Sequence, residues 1–310
     1  MTIIDTDTGV DDALAIGLAV RAGLRLQLFT VVAGNVEVEK CAANALSVLS
    51  VLDCEPRLEV LQGASGPLHY SLLNAEKVHG SDGLGGVAGQ YPPGGEIGER
   101  DAAGEIVRLL EEQSGSVSVI AVGPATNLAL AERKSPGILR SAREVVVMAG
   151  CFREQGNTSP VAEFNVYVDP HALAEVLESG ANVTIVPLDV TQQVVLQRKQ
   201  VEEATARNPT RWNTFVQDVT EHTMNFHQAP SGFHGMHLHD PLAVGVVLWP
   251  ELFKFLDRKV SVETESPLTR GMTIADLREP PWFEESPNAR IAVGVNASEF
   301  LERFVRVVID

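Results

Sequence analysis

The sequence predicts an α/β protein with a doubly wound, mostly parallel central sheet and helices on both faces, as in Rossmann-like folds. Short, almost continuously apolar runs, typical of buried parallel strands, alternate with helical patterns over the first two thirds of the 310 residues. Polar residues and glycines follow these runs, at the sheet edge where such folds bind ligands. A hydrophobic content of 45% suits one large core, and no linker interrupts it. We therefore expect a single domain over residues 1–310.

Each element is predicted by its own pattern of apolar residues and turn formers. The predicted strands are short apolar runs at residues 1–4, 26–32, 58–61, 117–122, 145–148 and 183–187. The predicted helices have apolar residues at helical spacing, at residues 38–52, 102–113, 171–178 and 241–248. Another helix is predicted to begin at the acids that follow Gly9, because negative charge is favoured in the first turn of a helix. Residues 63–99 are rich in glycine and are predicted to form a long loop.

The charge and the cysteines limit the class of partner and the compartment. A formal net charge of −17 at pH 7 argues against a nucleic acid polymer or an anionic membrane as partner, since either would repel the chain. The cysteines are few, odd in number and embedded in apolar segments, at positions 41, 54 and 151. This usage indicates reduced thiols. The chain starts in a strand, without a basic region or a long apolar run, so we expect a cytoplasmic protein.

Four aspartates within the first twelve residues, MTIIDTDTGVDD, are the most informative feature of the chain. Asp5 and Asp7 follow the first predicted strand two positions apart, so their side chains share a face. Asp11 and Asp12 fall in the first turn of the next helix, where one acid would be an ordinary cap. Four carboxylates this close repel each other in a partly buried site unless a cation or a shared proton neutralises them. The cluster therefore predicts a metal site.

A long loop and a histidine-rich segment are further candidates for function. The loop at 63–99 contains the phrase VHGSDGLGG, with His79 and Asp82. Long ordered loops are usually functional, although a histidine in a loop is more often solvated. Residues 221–239 contain five histidines, of which only His239 is followed at once by an acid, Asp240. This acid opens a further apolar helix, so the pair is placed to join a site.

Six motifs in order resemble those of one family. DTDTGVDDALAI at 5–16, VAEFNVYVDP at 161–170 and HDPLAV at 239–244 resemble the inosine–uridine nucleoside hydrolase family. VVAGN at 31–35, VHGSDGLGG at 78–86 and GPATNLALA at 123–131 match it as well. The resemblance implies the nucleoside hydrolase fold and hydrolysis of the N-glycosidic bond of ribonucleosides with a tightly bound Ca²⁺. It also implies a homodimer or a homotetramer.

The resemblance assigns roles to particular positions of this chain. The metal ligands would be Asp7, Asp12, the main-chain carbonyl of Val122 and Asp240. Asp7 would also activate the attacking water, and His239 matches the histidine proposed as the acid for the departing base. The residues around the ribose would be Asp11 at the 2′-hydroxyl, Asn35, Met148 under the sugar, Asn157, Glu163 and Asn165. The resemblance assigns no base pocket, and the candidates for it are His79, Phe226, Phe233 and His237, because rings of this kind can stack on a nucleobase.

The chemistry of these residue types agrees with the resemblance. An all-oxygen, flexible ligand set favours Ca²⁺ over Mg²⁺, which requires tighter octahedral geometry. Glycosidic cleavage needs negative charge near the sugar, a base for the water and an acid near the leaving group. Thr6 and Thr8 depart from the commonest family pattern, in which position 8 is often proline, and we assign no chemistry to either. Residues 222–238 do not align with the family, so the base preference stays open.

Two alternatives belong to other classes of protein. DTDTG after a strand also fits the nucleophile motif of haloacid dehalogenase-type phosphatases, with Asp5 as nucleophile and Asp7 as acid and base. That alternative requires a later Ser or Thr and a Lys at strand ends, which instead carry GPATN and MAG. The other alternative is a non-catalytic nucleoside- or sugar-binding protein on the same scaffold. Release of ribose from inosine or uridine would separate all three.

Overall fold

The described part of the chain is built of β-strands and α-helices. The computed structural model describes residues 1–54, 58–231, 234–283 and 285–310. Its strands are β1 Thr2–Thr6, β2 Leu26–Val31, β3 Val60–Gln62, β4 Ser118–Ala121, β5 Glu144–Met148, β6 Val183–Val186, β7 Val195–Gln197, β8 Gly235–His237, β9 Phe253–Arg258, β10 Ser261–Val262, β11 Thr273–Ile274 and β12 Ala289–Val295. Its α-helices are α1 Val10–Arg21, α2 Val38–Val51, α3 Glu76–His79, α4 Ala102–Glu112, α5 Thr126–Lys134, α6 Phe164–Val168, α7 Pro170–Glu178, α8 Leu188–Thr191, α9 Arg198–Arg207, α10 Arg211–Ser231, α11 His239–Leu248 and α12 Ala297–Val308.

The central sheet has eight strands in the order β3-β2-β1-β4-β5-β6-β12-β9. Neighbouring strands are parallel except for β9, which pairs antiparallel with β12 at one edge. The strand order reverses between β1 and β4, and in doubly wound sheets the crevice beyond the carboxyl ends at this point binds ligands. The fold therefore places the residues that follow β1 and β4 at its natural binding position.

Helices cover both faces of this sheet. Successive residues of a strand point to opposite faces, so neighbouring residues of β1 pack against different helices. Ile4 of β1 belongs to a core that includes buried residues of α1, α2, α11 and α12. Ile3 belongs to a second core formed with α4, α5 and α7. Two separate cores on one sheet are the mark of a doubly wound fold. The predicted fold class is therefore confirmed.

Two differences from the sequence-based elements affect the central sheet. β1 continues to Thr6, so Asp5 lies inside the strand instead of after it, with its backbone paired to Thr30 and Ala121. β12 and β9 were not predicted; in β9, at the edge of the sheet, only Phe253 is buried and the apolar residues are interrupted by charged ones. Among the described residues, no helix is long and apolar enough to cross a bilayer.

The loop at 63–99 is tied down at the site edge of the sheet. The carboxylate of Asp82 accepts three backbone N–H groups, from Leu84, Gly86 and Ala88, at 2.8–2.9 Å. The Asn44 amide of α2 donates to the carbonyl of Asp82 and also to that of Thr8. The loop is thereby fixed against the turn between β1 and α1. The predicted functional loop is an ordered wall beside the aspartate cluster.

Candidate active site

Three carboxylates meet where α1 and α11 begin. One oxygen from each of Asp11, Asp12 and Asp240 lies within 4.8 Å of the other two, and all three side chains are buried. Asp11 and Asp12 occupy the first turn of α1, as the sequence predicted, and Asp240 occupies the first turn of α11. Packing of these two helices against each other brings together residues more than 220 positions apart. The result is a buried site made of oxygen ligands.

Asp7 lies beside this group, in the turn that follows β1. Its Oδ2 accepts the backbone N–H of Asn35 at 2.8 Å. A Cβ at Gly34 would overlap that carboxylate, and a Cβ at Gly123 would lie 2.8 Å from its Oδ1. Two glycines that end neighbouring strands therefore leave just enough room for the Asp7 side chain. The three-carboxylate group itself does not include Asp7.

Asp12 is held by donors on both of its oxygens. Its Oδ2 accepts the N–H of Gly9 at 2.8 Å and the side-chain amide of Asn35 at 3.0 Å. Its Oδ1 accepts the hydroxyl of Thr6 at 2.6 Å. The Gly9 contact closes the first turn of α1, because Asp12 is the third residue of that helix. This carboxylate is consequently fixed in one orientation.

Four buried aspartates, Asp7, Asp11, Asp12 and Asp240, lie close together, and their burial disfavours the ionised form of each. Burial raises the pKa of Asp11 to about 6. Burial also raises the pKa of Asp12, and the charge of Asp11 adds to the effect. The pKa values of Asp7 and Asp240 are raised well above the usual range, first by burial and then by the neighbouring aspartates. Repulsion of this kind is relieved by a cation, so the donor set fits a hard divalent metal.

The end of β4 and the start of α6 meet below the site. The side-chain amide of Asn165 donates to the carbonyl of Val122 at 2.8 Å and to that of Met148 at 3.1 Å. The Val122 carbonyl, the predicted main-chain ligand, accepts this one side-chain hydrogen bond and keeps a second lone pair. The Asn165 amide also lies 3.6 Å from the sulfur of Met148. These contacts fix the floor on which the resemblance places the sugar.

Glu163 and Asn157 form the wall on the α6 side. The buried carboxylate of Glu163 accepts backbone N–H groups from Gly150, Asn165 and Val166, and so caps α6. Burial raises the pKa of Glu163 to about 7, and the charge of Asp11 adds to this effect. Asn157 is exposed, and its oxygen accepts the N–H of Phe164, which leaves its amide N–H groups to a ligand.

Three histidines, His227 of α10, His237 of β8 and His239 of α11, lie next to one another and form the histidine wall of the site. The ring of His239 lies 5.6 Å from that of His237, which lies 6.2 Å from that of His227. Burial lowers the pKa of His239 to about 3, and the neighbouring histidines add to this effect. Its Nδ1 lies 2.8 Å from the hydroxyl of Thr191. Phe226 is 40% exposed and packs edge to face on His227, whereas Phe233 lies outside the described residues.

His79 is buried, not solvated as a loop histidine usually is. Its Nδ1 accepts the N–H of Val10 at 3.1 Å, which fixes the ring proton on Nε2. Burial lowers the pKa of His79 to about 4, so the ring is neutral at pH 7 and its 3.9 Å distance to Asp11 is not an ion pair. The ring therefore offers an N–H donor close to the cluster.

Asp5 has a different environment from the other aspartates. Its Oδ1 accepts the hydroxyl of Thr30 at 2.5 Å and the amide of Asn127 at 2.8 Å. Burial raises the pKa of its carboxyl to about 7. The side chain is fully enclosed between β2 and α5, where no substrate phosphorus can approach. A phosphatase with Asp5 as nucleophile is inconsistent with this geometry.

Several residues of the site were not predicted. Gly34 and Gly123 give space to the Asp7 carboxylate, and Thr6 and Thr191 bond Asp12 and His239. The sequence carried one signal for these residues. Both glycines directly follow predicted strands, where close approach of a side chain often requires glycine. The roles of the threonines depend on side-chain contacts that no spacing encodes.

The fold is shared with solved ribonucleoside hydrolases. The purine-preferring ribonucleoside hydrolase from Gardnerella vaginalis superposes with a TM-score of 0.89 at 31% identity, covering 99% of this chain and 97% of that one. Sequence relatives include the pyrimidine-specific ribonucleoside hydrolase RihA of Enterobacter sp. strain 638, 36% identical over 303 residues, with 97% of this chain and 95% of that protein covered. The probable uridine nucleosidase 1 of Oryza sativa subsp. japonica is 35% identical over 291 residues, with 92% and 87% covered.

The conserved pattern of one family spans nearly the whole chain. Residues 2–302 match the family described as inosine-uridine preferring nucleoside hydrolase. The chain belongs to this family. It is an enzyme of nucleoside metabolism that hydrolyses the N-glycosidic bond of ribonucleosides. The resemblance stated from the motifs is therefore confirmed, and its small-molecule substrate class with it.

Proposed function

We propose that this ribonucleoside hydrolase depends on one Ca²⁺ held by Asp7, Asp12, Asp240 and the carbonyl of Val122. The observation that carries the proposal is the buried group of Asp11, Asp12 and Asp240 with Asp7 beside it: burial raises the pKa of all four, and neighbouring aspartates raise those of Asp7, Asp12 and Asp240 further. An all-oxygen set of carboxylates and a carbonyl suits Ca²⁺ better than Zn²⁺, which prefers nitrogen and sulfur. When bound, the ion would favour ionisation of the attacking water and orient the two vicinal ribose hydroxyls.

Asp7 is proposed as the general base for the attacking water. Its Oδ2 already accepts the Asn35 N–H, which leaves Oδ1 to take the proton. The raised pKa of Asp7 suits this role, because a base whose pKa lies closer to neutral accepts a proton more readily. The glycines at 34 and 123 leave the space that this carboxylate occupies, since a Cβ at either position would crowd its oxygens.

The other walls of the crevice are proposed to bind the ribose. Asp11 projects from the first turn of α1 and would accept the 2′-hydroxyl of the sugar. Glu163, with the exposed amide of Asn157, would hold the 5′-hydroxyl. Asn35, Met148 and Asn165 complete the floor. Negative charge on both sides of the sugar would stabilise the oxocarbenium-like transition state.

The histidine wall is proposed to receive the base. With Thr191 as donor to Nδ1, the proton of His239 sits on Nε2 and can be directed to the departing base. Because the pKa of His239 is near 3, the ring is neutral at pH 7, and it would assist the departing base by a hydrogen bond from Nε2–H and not as an imidazolium acid. His79, His237 and Phe226 would line the rest of the pocket.

A panel of nucleosides tests the proposed function. Inosine, guanosine, uridine and cytidine are incubated with the purified protein, and free ribose is measured as reducing sugar. The names of the relatives divide between purines and pyrimidines, so both classes belong in the panel. Ribose release from at least one member is expected. Tight binding of nucleosides with no ribose from any of them would instead support a silent binder.

The role of His239 can be separated from metal support by the choice of leaving group. His239→Ala should slow nucleoside hydrolysis by about 10² or more, because a base anion leaves slowly without a proton. A riboside with an activated phenol leaving group should be barely affected. Thr191→Val is the matched control, because it removes the hydroxyl that fixes the tautomer of His239. It should slow nucleoside hydrolysis by a smaller factor and leave the activated riboside barely affected.

The opposite outcome has a clear structural meaning. If both substrates slow equally and bound calcium falls with them, then His239 only supports its neighbour Asp240. That result would move the acid role to another residue of the histidine wall or to water.

We also propose that residues 1–310 act as one domain and as a cytoplasmic homodimer or homotetramer in purine or pyrimidine salvage. The single domain is supported by the central sheet, which takes strands from both ends of the chain. Light scattering on the purified protein measures the oligomeric state directly. A stable monomer at working concentration would contradict the oligomer.

A further inference from the structure

Two threonine hydroxyls lie in a row behind the Asp12 carboxylate. The hydroxyl of Thr6, the last residue of β1, is 2.6 Å from Asp12 Oδ1. The hydroxyl of Thr8 is 3.1 Å from that of Thr6. All three side chains are fully buried. Neither threonine belongs to the carboxylate group itself, so they form a layer directly behind it.

The protons in this row have only one consistent direction. An ionised carboxylate accepts hydrogen bonds and cannot donate, so Thr6 must be the donor to Asp12. A hydroxyl has a single hydrogen, and that of Thr6 is then used. In the contact between the two threonines the donor must therefore be Thr8. The row runs from Thr8 to Thr6 to Asp12, and each bond polarises the next.

The other contacts of Asp12 show what this row adds. Oδ2 is held by the Gly9 N–H and the Asn35 amide, both on the turn side of the site. Among the residues that the structure describes, Oδ1 has one hydrogen-bond donor, the hydroxyl of Thr6. Without it, the carboxylate keeps its Oδ2 contacts but loses the bond that sets its rotation about the Cβ–Cγ axis. A ligand with two usable oxygens depends on that rotation.

We propose that Thr6 and Thr8 are positioning residues that orient the Asp12 carboxylate for cation binding, with Thr8 acting only through Thr6. This inference rests on the proposed function, in which Asp12 is a calcium ligand. Hydrogen-bond partners of metal ligands commonly change metal affinity by about 10- to 100-fold. The proline that often occupies position 8 in the family has no hydroxyl to offer, so the second bond is a property of this chain.

The first experiment measures Ca²⁺ affinity by titration calorimetry on the chelated full-length protein. Thr6→Val keeps the shape and the strand preference of the side chain and removes only the hydroxyl. Its dissociation constant for Ca²⁺ should rise by about 10-fold or more, a larger factor than the loss of kcat at saturating calcium. Thr6→Ser restores the hydroxyl and should return the constant to within about threefold of wild type.

A matched control separates this effect from the general cost of a lost buried hydroxyl. Thr30 also donates to a buried aspartate, Asp5, on the same sheet but outside the carboxylate group. Thr30→Val should lower the Tm of the calcium-free protein without changing calcium affinity. If Thr30→Val weakens calcium binding as much as Thr6→Val does, the effect is not specific to Asp12 and the inference is overturned.

A double-mutant cycle tests whether Thr8 acts through Thr6. Thr8→Val alone should weaken calcium binding by a smaller factor than Thr6→Val. In the Thr6→Val background the same substitution should have no further effect, because its acceptor is gone. Equal effects in both backgrounds would show that Thr8 acts independently. Should Thr6→Val not fold, Thr6→Ser and Thr8→Val still test the row, since only the second removes a hydroxyl.

The outcomes distinguish this inference from the function on which it rests. If the wild-type protein binds no calcium, the proposed calcium site is wrong whatever the variants do. If the wild type binds calcium and Thr6→Val binds it equally well, then the calcium site stands and the positioning role of the threonines is wrong.

Discussion

Asp7→Asn is expected to lower kcat by about 10³-fold or more while the protein remains folded, because an amide cannot take a proton from water. The amide fits the space between Gly34 and Gly123 and keeps an oxygen for the Asn35 N–H. Steady-state kinetics on the best nucleoside of the panel gives the loss in kcat. Circular dichroism and the calcium content show whether fold and metal survive.

Asp5→Asn is the matched control for Asp7→Asn. Asp5 is also a buried aspartate of the first strand, but its carboxyl bonds Thr30 and Asn127 away from the cluster. With its pKa near 7, part of the population is already neutral, and asparagine imitates that form. We expect its kcat to fall by less than about tenfold. A small loss of kcat for Asp7→Asn together with a large loss for Asp5→Asn would contradict the proposed role of Asp7 and favour Asp5 as a nucleophile.

Rejection of 2′-deoxyribonucleosides should be the second large effect. Asp11 is buried at the start of α1, beside Asp12 and Asp240, and is proposed to hold the 2′-hydroxyl. A substrate without this hydroxyl leaves a desolvated carboxylate without a partner. Sites built around a substrate hydroxyl can reject its absence by about 10⁴ or more in kcat/KM. Uridine and 2′-deoxyuridine, or inosine and 2′-deoxyinosine, provide the comparison.

The variant Asp11→Asn shows whether the discrimination comes from this residue. It should lose activity on ribonucleosides, narrow the ratio between the two sugars and keep its bound calcium. Asp240→Asn, by contrast, should lose calcium, since Asp240 is proposed as a ligand. Comparable kcat/KM values on the ribo- and deoxyribonucleoside would contradict the placement of Asp11 at the 2′-hydroxyl. Loss of calcium in Asp11→Asn would make this residue a ligand instead.

The parallel part of the fold was predictable because its strands are buried on both faces. Burial on two sides produces continuous apolar runs, and six central strands were found from them. β9 is different, since one side of this edge strand meets solvent and its apolar residues are interrupted. β12 lies inside the sheet, yet its last residues are only partly buried. β9 therefore lacked the signal that identified the others, whereas β12 carries an apolar run at 291–295 that was not predicted as a strand.

The candidate site was predictable in its residue types and less so in its contacts. The aspartates of the site lie in two short motifs, DTDTGVDD and HDP, and both motifs could be recognised in the sequence. That Asp11 approaches Asp240 depends on the packing of α1 against α11, which no local spacing encodes. The enclosed position of Asp5 depends on Thr30 and Asn127, one strand and one helix away. The hydroxyl of Thr6 became meaningful only once its distance to Asp12 was known.

Calcium affinity should also depend on pH. Protons and Ca²⁺ compete for the same carboxylate oxygens, and binding of the metal requires deprotonated ligands. The raised pKa values of Asp7, Asp12 and Asp240 place this competition nearer to neutral pH than for ordinary aspartates. The dissociation constant for Ca²⁺ should therefore rise as the pH falls from 8 to 6. A constant affinity over this range would mean that the metal binds elsewhere.

The calcium dependence of ribose release is the most direct measurement of how this site works. The protein is chelated exhaustively and then titrated with Ca²⁺, while bound calcium and ribose release are measured in the same samples. Activity should be lost on chelation and return in proportion to occupancy, reaching its maximum at about one ion per chain. Asp240→Asn should neither bind the ion nor recover activity. Full activity in a chelated sample with no calcium remaining would contradict a calcium-dependent mechanism at Asp7, Asp12 and Asp240.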